Sequence, residues 1–577
     1  MDKKQVADIL EQIGVLLELK GENPFKTRAY YNGARVIKGL SGDLQALVES
    51  GEIGSVKGIG KALAEKITTL VSTGGLPFYD ELRASFPASL LDILRIPGLG
   101  PKKIRKLYTE LGIDSLEALE KACQEDRVAA LDGFGSKMQA KILDGIAFIR
   151  KHSGRHHYHI AAAAAERLLL ALRARPAVIR AEVAGSLRRH RETVKDIDIV
   201  ASAEEKDRAG LMEFFVTMPG VSSVVAHGET KSSVILEEGI QADLRVVSEA
   251  AFPFTLHHFT GSKEHNTAMR ALARRSGLKM NEYGLFREDD SVIACSGEEE
   301  IFQVLGMSFI PPELREDRGE IQAAREQAIP ELIRREHIRG ILHTHTTWSD
   351  GTASLEEMAE ACRNMGMHYL GIADHSQVVV YANGLSIDRL HQQAVAIREL
   401  NERYDDFRIF HGTECDIMPD GTLDFPEEIL AELDYVVISV HSKMQMSEKE
   451  ATERIIRAMS SPYATILGHP TGRILLGREG YALNYDAIFQ AAVEYNVAIE
   501  INANPYRFDL DWRYIRQARD AGVMLSINPD AHSISGLQDT FLGIGIARKG
   551  WLGPQHVLNT KSQEDIAAWF AAARQGK

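Results

Sequence analysis

The spacing of apolar residues changes character three times along the 577-residue chain. Over residues 1–150, ALAEKITTLVST, PKKIRKLYTEL and SKMQAKILDGIAFI place apolar side chains three and four apart. That period predicts amphipathic helices, here joined by glycine-rich turns. From about residue 160 the pattern is mixed. IAAAAAERLLLALRA predicts a helix, and VIRAEVAG, DIDIVAS, VSSVVAHG, SSVILEEG and ADLRVVS predict short strands. LREDRGEIQAAREQAIPELIRREHIRG is charged and poor in apolar residues, and reads as a connector. Beyond it, seven apolar runs recur about every 30 residues, the length of a strand-plus-helix unit. They are GILHTH, YLGIADH, RIFHGTECD, YVVISVH, ATILGHP, VAIEINANP and VMLSINPDAH, each ending in His, Asp, Glu or Asn. In a parallel βα barrel such strand ends gather around one mouth. Seven units predict a distorted (β/α)7 barrel. The chain is therefore expected to be multidomain: helical regions at 1–85 and 86–155, an α+β region at 156–312, a linker at 313–335 and the barrel at 336–577.

Hydrophobic residues make up 44% and charged residues 26%, the range of globular chains. No apolar run is long enough for a membrane span, and MDKKQVADIL lacks a signal-peptide core. Cys123, Cys295, Cys362 and Cys415 form no Cys-x-x-Cys pair, which fits a reducing cytoplasm. The net charge of −14 argues against nucleic acid until it is located. Residues 1–335 carry 46 basic and 48 acidic side chains, and residues 336–577 carry 21 and 33. The acidic excess thus lies in the barrel, while PKKIRK, SLRRHR and RALARR form basic clusters before it. Local patches, not net charge, set phosphate attraction.

Three segments repeat apolar-x-Gly-apolar-Gly before a helix: VKGIGKALAEKI, IPGLGPKKIRKLY and LDGFGSKMQAKIL. Gly58 and Gly60, Gly98 and Gly100, and Gly133 and Gly135 permit tight turns. The N–H groups opening each helix can bind phosphate. With Lys102 and Lys103 after the second copy, the set reads as helix-hairpin-helix binding to the DNA backbone, independent of sequence. The third copy also fits a plain structural turn.

Asp196 and Asp198, at i and i+2 in DIDIV, face one way on a strand. Paired carboxylates suit Mg²⁺ and phosphate oxygens, and Asp243 in ADLRVV can add a third, although Asp-x-Asp by itself better fits a solvated strand face. Gly185 and Ser186 open the basic stretch before them, a candidate phosphate grip. In the barrel, His343, His345, Asp350, His375, Glu414, His441, His469, Asp530 and His532 lie at the ends of six of the seven runs. Burying so many ionisable groups without metal is costly. Nitrogen and oxygen ligands without Cys suit Zn²⁺ or Mn²⁺.

GSLRRHRETVKDID, GETK, ADLRVV, HHFTGSKEHNTAMR and MNEYG, in that order, resemble the X-family DNA polymerases over residues 1–312. The resemblance makes 1–85 lyase-like, 86–155 fingers and 156–312 the nucleotidyltransferase palm and thumb. It implies two Mg²⁺ ions on Asp196, Asp198 and Asp243, and triphosphate binding by Gly185, Ser186 and Arg189. His258, Phe259, Gly261 and Asn266 would line the incoming nucleotide's sugar, and Arg270 would face the template. His258 stands where the beta enzyme has Tyr, and Lys263 where it has Asp, which bears on sugar discrimination. Lys66 matches the family's Schiff-base lysine for deoxyribose-phosphate lyase chemistry; a solvated lysine contacting phosphate fits equally. HTHTTWSDG, IADHS, GTECDI, SVHS, LGHP and NPDAH resemble the PHP domain. That resemblance implies up to three metal ions: one on His343, His345, Glu414 and Asp530, one on Asp350, His375 and His532, and one on bridging Glu414 with His441 and His469.

Together these imply an X-family polymerase, bacterial or archaeal, that fills short gaps in base-excision repair. Its PHP domain would give Mn²⁺-dependent 3′–5′ exonuclease, AP-endonuclease or 3′-phosphate processing. Expected partners are gapped or primer-template DNA and deoxynucleoside triphosphates, with the protein a cytoplasmic monomer free of membranes. Two rivals are a DNA-binding scaffold with a silent polymerase site, and a histidinol-phosphate-type phosphatase with an unrelated N-terminal half.

Overall fold

The structure is a computed structural model and describes residues 1, 3–38, 40, 43–96 and 98–575. The chain divides into two compact units, Met1–Ser153 and Gly154–Lys577.

The first unit is helical, as its three- and four-residue apolar period predicts. Its longer helices are Lys3–Lys20, Pro24–Lys38, Lys61–Thr73, Pro101–Leu111 and Gly135–His152. One apolar core runs from Val6 to Ile149, so the segments 1–85 and 86–155 share it. The glycine hairpins are turns that open helices. Gly58 (φ +97°) and Gly98 (φ +78°) adopt left-handed backbone, which costs other residues roughly 1–2 kcal/mol. Gly60 and Gly100 then cap the helices Lys61–Thr73 and Pro101–Leu111 in extended backbone. The third copy differs. Gly133 (φ +83°) and Gly135 (φ +68°) are both left-handed, and Phe134 occupies the cap.

The second unit begins with a five-stranded sheet: β1 (Arg180–Val183), β2 (Asp196–Ser202), β3 (Val221–His227), β4 (Lys231–Leu236) and β5 (Gln241–Val247), in the order β1-β2-β5-β4-β3. Only β2 and β5 run parallel. Alternation along β2 sends Ile197, Ile199 and Ala201 into the core against the helices Tyr158–Arg173 and Glu205–Val216. Val200 joins Ala184, Phe252 and Leu256 on the opposite face. Asp196 and Asp198 share the parity of Val200 and belong to that face.

Residues 313–335, expected as a linker, are built into the fold. Leu314, Ala324 and Leu332 enter a core with Phe254, Phe302 and Trp551. Arg315 is fully buried and paired with Glu298. Glu320 is buried too, while Asp317, Arg318, Arg325, Glu326, Glu331, Arg334 and Arg335 keep their charge in solvent.

The last region is a parallel barrel of seven strands: β6 (Gly340–Thr344), β7 (Tyr369–Ile372), β8 (Arg408–Asp416), β9 (Tyr435–Ser439), β10 (Ile466–Leu467), β11 (Ala498–Asn502) and β12 (Leu525–Asn528), paired in chain order. A parallel bridge from Thr344 to Ala531 brings the last strand beside the first, so the barrel is nearly closed. Each predicted run supplies one strand. The four cysteines are buried and unpaired, and no helix among the described residues is long and apolar enough to cross a membrane.

Candidate active sites and family

On the sheet, Asp198 of β2 lies directly opposite Asp243 of β5, because the two strands are parallel and in register. Asp196 is two residues earlier on the same face. Gly185 (φ +63°) packs against this group: a Cβ there would lie 2.2 Å from Asp198 Oδ2. Burial, then the charges of Asp196 and Asp243, push the Asp198 carboxyl up to about 6. Asp243 behaves oppositely. Burial favours its neutral form, but hydrogen bonds from Lys231, Ser233 and Gln241 hold it below the usual carboxylate range. Lys231 Nζ is 2.5 Å from Asp243 Oδ2. Three carboxylates gathered from two neighbouring strands on one face, with Asp198 held neutral more readily than usual, suit a hard divalent cation.

The candidate phosphate-grip residues follow Gly185 in the chain. Ser186 is half-buried on the short helix Gly185–Arg188. Arg189 is engaged: its Nη1 donates to the Thr260 carbonyl at 2.8 Å and its Nε to Glu316 at 3.0 Å. Glu316 also receives Lys549 Nζ at 2.6 Å, and the Lys549 side chain has 0% exposure. Arg188 bonds Thr260 Oγ1 (2.8 Å) and Glu298 (2.6 Å). Phe259 lies under the Arg245 guanidinium at 4.0 Å, with the His258 ring 5.0 Å away. Asn266 Nδ2 donates to the carbonyls of His258 (2.6 Å) and Gly261 (3.2 Å). At Gly261 a Cβ would meet Asn266 Oδ1 at 2.5 Å, which accounts for the glycine. Arg270 is half-buried one turn along the same helix, Lys263–Arg275.

In the barrel all nine candidate ligands converge at the C-terminal strand ends. His345, Asp350, His375 and His532 form one group, His343, His345 and Asp530 a second, and His375, Glu414 and His441 a third, each with donor atoms within 4.8 Å of one another. His345 and His375 therefore each belong to two groups, whereas the family resemblance assigned each to one metal. Glu414 is the hub. Its oxygens lie 2.9 Å from His375 Nδ1, 2.9 Å from His469 Nε2, 3.3 Å from His441 Nε2 and 3.4 Å from His343 Nε2.

Same-face alternation is not what pairs His343 with His345. β6 ends at Thr344, its pairing register shifts there, and His343 has φ +56°. The rings still come within 5.3 Å. His469 (φ +22°) and Asp530 (φ +53°) are left-handed too. Strained backbone of this kind persists where the surroundings enforce it, commonly at functional sites.

Burial alone would keep His343 neutral, but Glu500, Glu414 and Asp530 hold it well above its ordinary value. Burial likewise opposes charge on His441 and His532, yet neighbouring carboxylates raise them to about 10 and about 9. His345 goes down to about 3 through burial and the charges of His532 and His375. Glu414 and Asp530 stay well below the carboxylate range: the surrounding imidazoles outweigh burial. His343 Nε2, His345 Nε2, His375 Nδ1 and Glu414 Oε2 are buried without hydrogen-bond partners. Orphaned donors aimed at one centre fit divalent metal.

The remaining sites lie in the first unit. Lys66 is half-buried on the helix Lys61–Thr73, with Nζ 5.0 Å from the Phe78 ring centroid. Lys102 is 83% exposed, 4.0 Å from Glu18. Lys103 Nζ reaches Met138 Sδ at 3.9 Å.

Compared with known proteins, the chain is 41% identical over 573 residues to the DNA polymerase/3′-5′ exonuclease PolX of Bacillus subtilis (strain 168), covering 99% of each. The chain belongs to the PolX family. Family models place a helix-hairpin-helix domain at 1–76, a SAM-like helix-hairpin-helix tandem at 90–147, a DNA polymerase beta thumb at 255–316 and a PHP domain at 342–504. Probable phosphatases also match: one of Thermoanaerobacter sp. (strain X514) is 30% identical over 33% of this chain and 79% of its own length. Another, of Clostridium botulinum (strain Langeland), is 33% identical over 28% and 63%. These cover only the PHP part, whereas the PolX match spans both halves. In this PolX-family chain the sequence reading missed the residues that orient the ligands. Glu500 accepts from His343 Nδ1 at 2.6 Å, and Asp416 lies 3.3 Å from His441 Nδ1. Glu500 is in VAIEINANP, the one run credited with no ligand; its acidic residue inside an apolar strand was the available signal.

Proposed function

We propose that this PolX-family DNA polymerase and 3′–5′ exonuclease fills short gaps during base-excision repair, trimming the 3′ end in one site before extending it in the other. The observation that carries the reading is the pairing, in a chain matched along its length by PolX, of a register-matched aspartate set with a barrel-mouth histidine set. Asp196, Asp198 and Asp243 bind Mg²⁺, and the nine barrel residues bind Mn²⁺ or Zn²⁺. Bound divalent ions supply charge neutralisation and Lewis acidity at phosphorus.

The chain's own groups do the rest. Ser186 and Arg189 receive the triphosphate, so Arg189 exchanges Glu316 for phosphate oxygens. Phe259, His258 and Asn266 line the sugar, and Arg270 faces the template. The hairpins at Gly58–Gly60, Gly98–Gly100 and Gly133–Gly135 hold the DNA backbone, with Lys102 and Lys103 beside the second. In the barrel, Glu500 and Asp416 fix the rings of His343 and His441. Lys66 is proposed as the lyase nucleophile. The protein is proposed to act as a cytoplasmic monomer, with domains at 1–85, 86–155, 156–312 and 336–577.

The test is a gapped primer-template carrying label at either primer end, with Mg²⁺ or Mn²⁺. Asp198→Asn should abolish nucleotide addition and leave 3′–5′ shortening within about twofold. Loss of both activities in a folded variant would reject two separate sites.

A further inference from the structure

Residues 376–385 leave the barrel beside His375 and return to it. The Leu385 N–H donates to the His375 carbonyl at 2.8 Å, and the Ser376 N–H to the Glu414 carbonyl at 3.0 Å. The returning arm is tied to the segment that carries Asp350. Asn383 Nδ2 donates to the carbonyls of Trp348 (3.1 Å) and Ser349 (3.0 Å). Val379 and Ala382 are buried beneath, and at Gly384 a Cβ would stand 2.0 Å from the Ser376 carbonyl oxygen. The loop is thus clamped between two candidate ligands, His375 and Asp350.

Despite this anchoring, its tip presents Val380 and Tyr381 to solvent, 80% and 79% exposed. Among the described large apolar residues only Phe25 is comparably exposed. A rigid loop that keeps two such side chains in water beside a phosphoesterase mouth fits a ligand contact. The phenol also lies within the electrostatic reach of Glu414, Asp416, Asp350 and Arg507. Arg507 Nε is itself 3.6 Å from Asp530 Oδ2. An apolar aromatic platform and a guanidinium therefore flank the same mouth. A nucleobase stands one sugar away from its phosphate, so a strand engaged at the mouth offers such a platform a ring.

We propose that Val380 and Tyr381 form a stacking subsite for an unpaired nucleobase at the 3′ end of the strand being trimmed, with Arg507 on the adjoining phosphate. The proposal rests on reading the barrel as the 3′–5′ phosphoesterase. Stacking on an aromatic face tolerates every base, as a trimming activity requires. A base inside a duplex has both faces covered, so the subsite favours frayed, mismatched or single-stranded ends over paired ones.

The test compares full-length protein with Tyr381→Ala and Tyr381→Phe in Mn²⁺. One oligonucleotide is natural and single-stranded; the other ends in three tetrahydrofuran residues that keep the phosphates and lack bases. The wild-type preference in kcat/KM for the natural strand should fall roughly 10- to 100-fold in Tyr381→Ala, the scale of losing one base–aromatic stack, and persist in Tyr381→Phe. With Ca²⁺ in place of Mn²⁺ to stop cleavage, 2-aminopurine at the 3′ terminus should be quenched by the wild type and Tyr381→Phe but not by Tyr381→Ala. An unchanged preference in Tyr381→Ala, or no quenching by the wild type, would overturn the subsite alone. Wild-type protein that trims neither strand would overturn the phosphoesterase reading and the subsite with it.

Discussion

The sheet site and the barrel site bring carboxylates together in opposite ways. The sheet gathers carboxylates from two neighbouring strands and gives the Lys231 ion pair to Asp243 alone, so that Asp198 is pushed up to about 6 by burial and by Asp196 and Asp243. The barrel surrounds its carboxylates with imidazoles, which hold Glu414 and Asp530 well below the carboxylate range although burial opposes it. Their backbones differ as well. The sheet puts its left-handed residue at Gly185, where it costs little, while the barrel puts His343, His469 and Asp530 themselves in that region.

Removing the barrel's hub should give the largest effect. Glu414→Ala takes a partner from five imidazoles and should cost the 3′–5′ activity on the order of 1000-fold, comparable to deleting a group that stabilises transition-state charge. Gap filling in Mg²⁺ should survive. His375→Ala touches two of the three donor groups and a Glu414 oxygen at 2.9 Å, so its effect should approach that of Glu414→Ala rather than fall well short of it. A labelled-primer assay that finds extension and shortening declining together would end the separation of the two sites.

A smaller effect comes from the residues behind the ligands. Glu500→Gln leaves every direct ligand in place but weakens the hold on His343, so shortening should drop roughly 10- to 100-fold, with extension untouched. A variant indistinguishable from wild type in both Mn²⁺ affinity and rate would show that barrel closure alone orients His343.

pH sharpens the contrast further. Without metal, His441 and His532 are held protonated to about 10 and about 9, because neighbouring carboxylates outweigh burial. Metal must displace those protons, so Mn²⁺ binding to the barrel should release protons and tighten as pH rises from about 7 to 9. The sheet should respond lower: Asp198 is protonated below about 6, so Mg²⁺ binding should weaken as pH falls through that value and change little above it. Calorimetry in buffers of different ionisation heat, on Asp198→Asn and Glu414→Ala separately, reads each site. Equal proton release at both would erase the distinction.

The smallest effect lies outside both sites. Lys102→Glu with Lys103→Glu should lower the salt dependence of gapped-DNA binding by about 0.9 log units per log salt for each phosphate left without its lysine. It should shift extension and shortening alike, since it acts on shared DNA affinity. An unaltered slope would return both lysines to the role of solvated surface.

The residues most legible in the sequence are those whose role follows from a local period. Asp196 and Asp198 share a face because strands alternate every two residues. Gly58 and Gly98, expected in tight turns, adopt left-handed backbone there. The seven apolar runs each form a strand, which brings nine polar residues to one mouth. Only the tertiary structure decided which side chains pair between elements. Lys549 meets Glu316 and so reaches the Arg189 loop, Glu500 meets His343, and Arg315 enters a core through a segment charged enough to pass for a linker. The closing of the barrel also replaced simple alternation at His343 with a shifted register and a left-handed residue. The physical reason is the same in each case. A period reports which face a side chain takes on its own element, whereas its electrostatic partner depends on which other element is packed there, and burial makes that choice outweigh local preference.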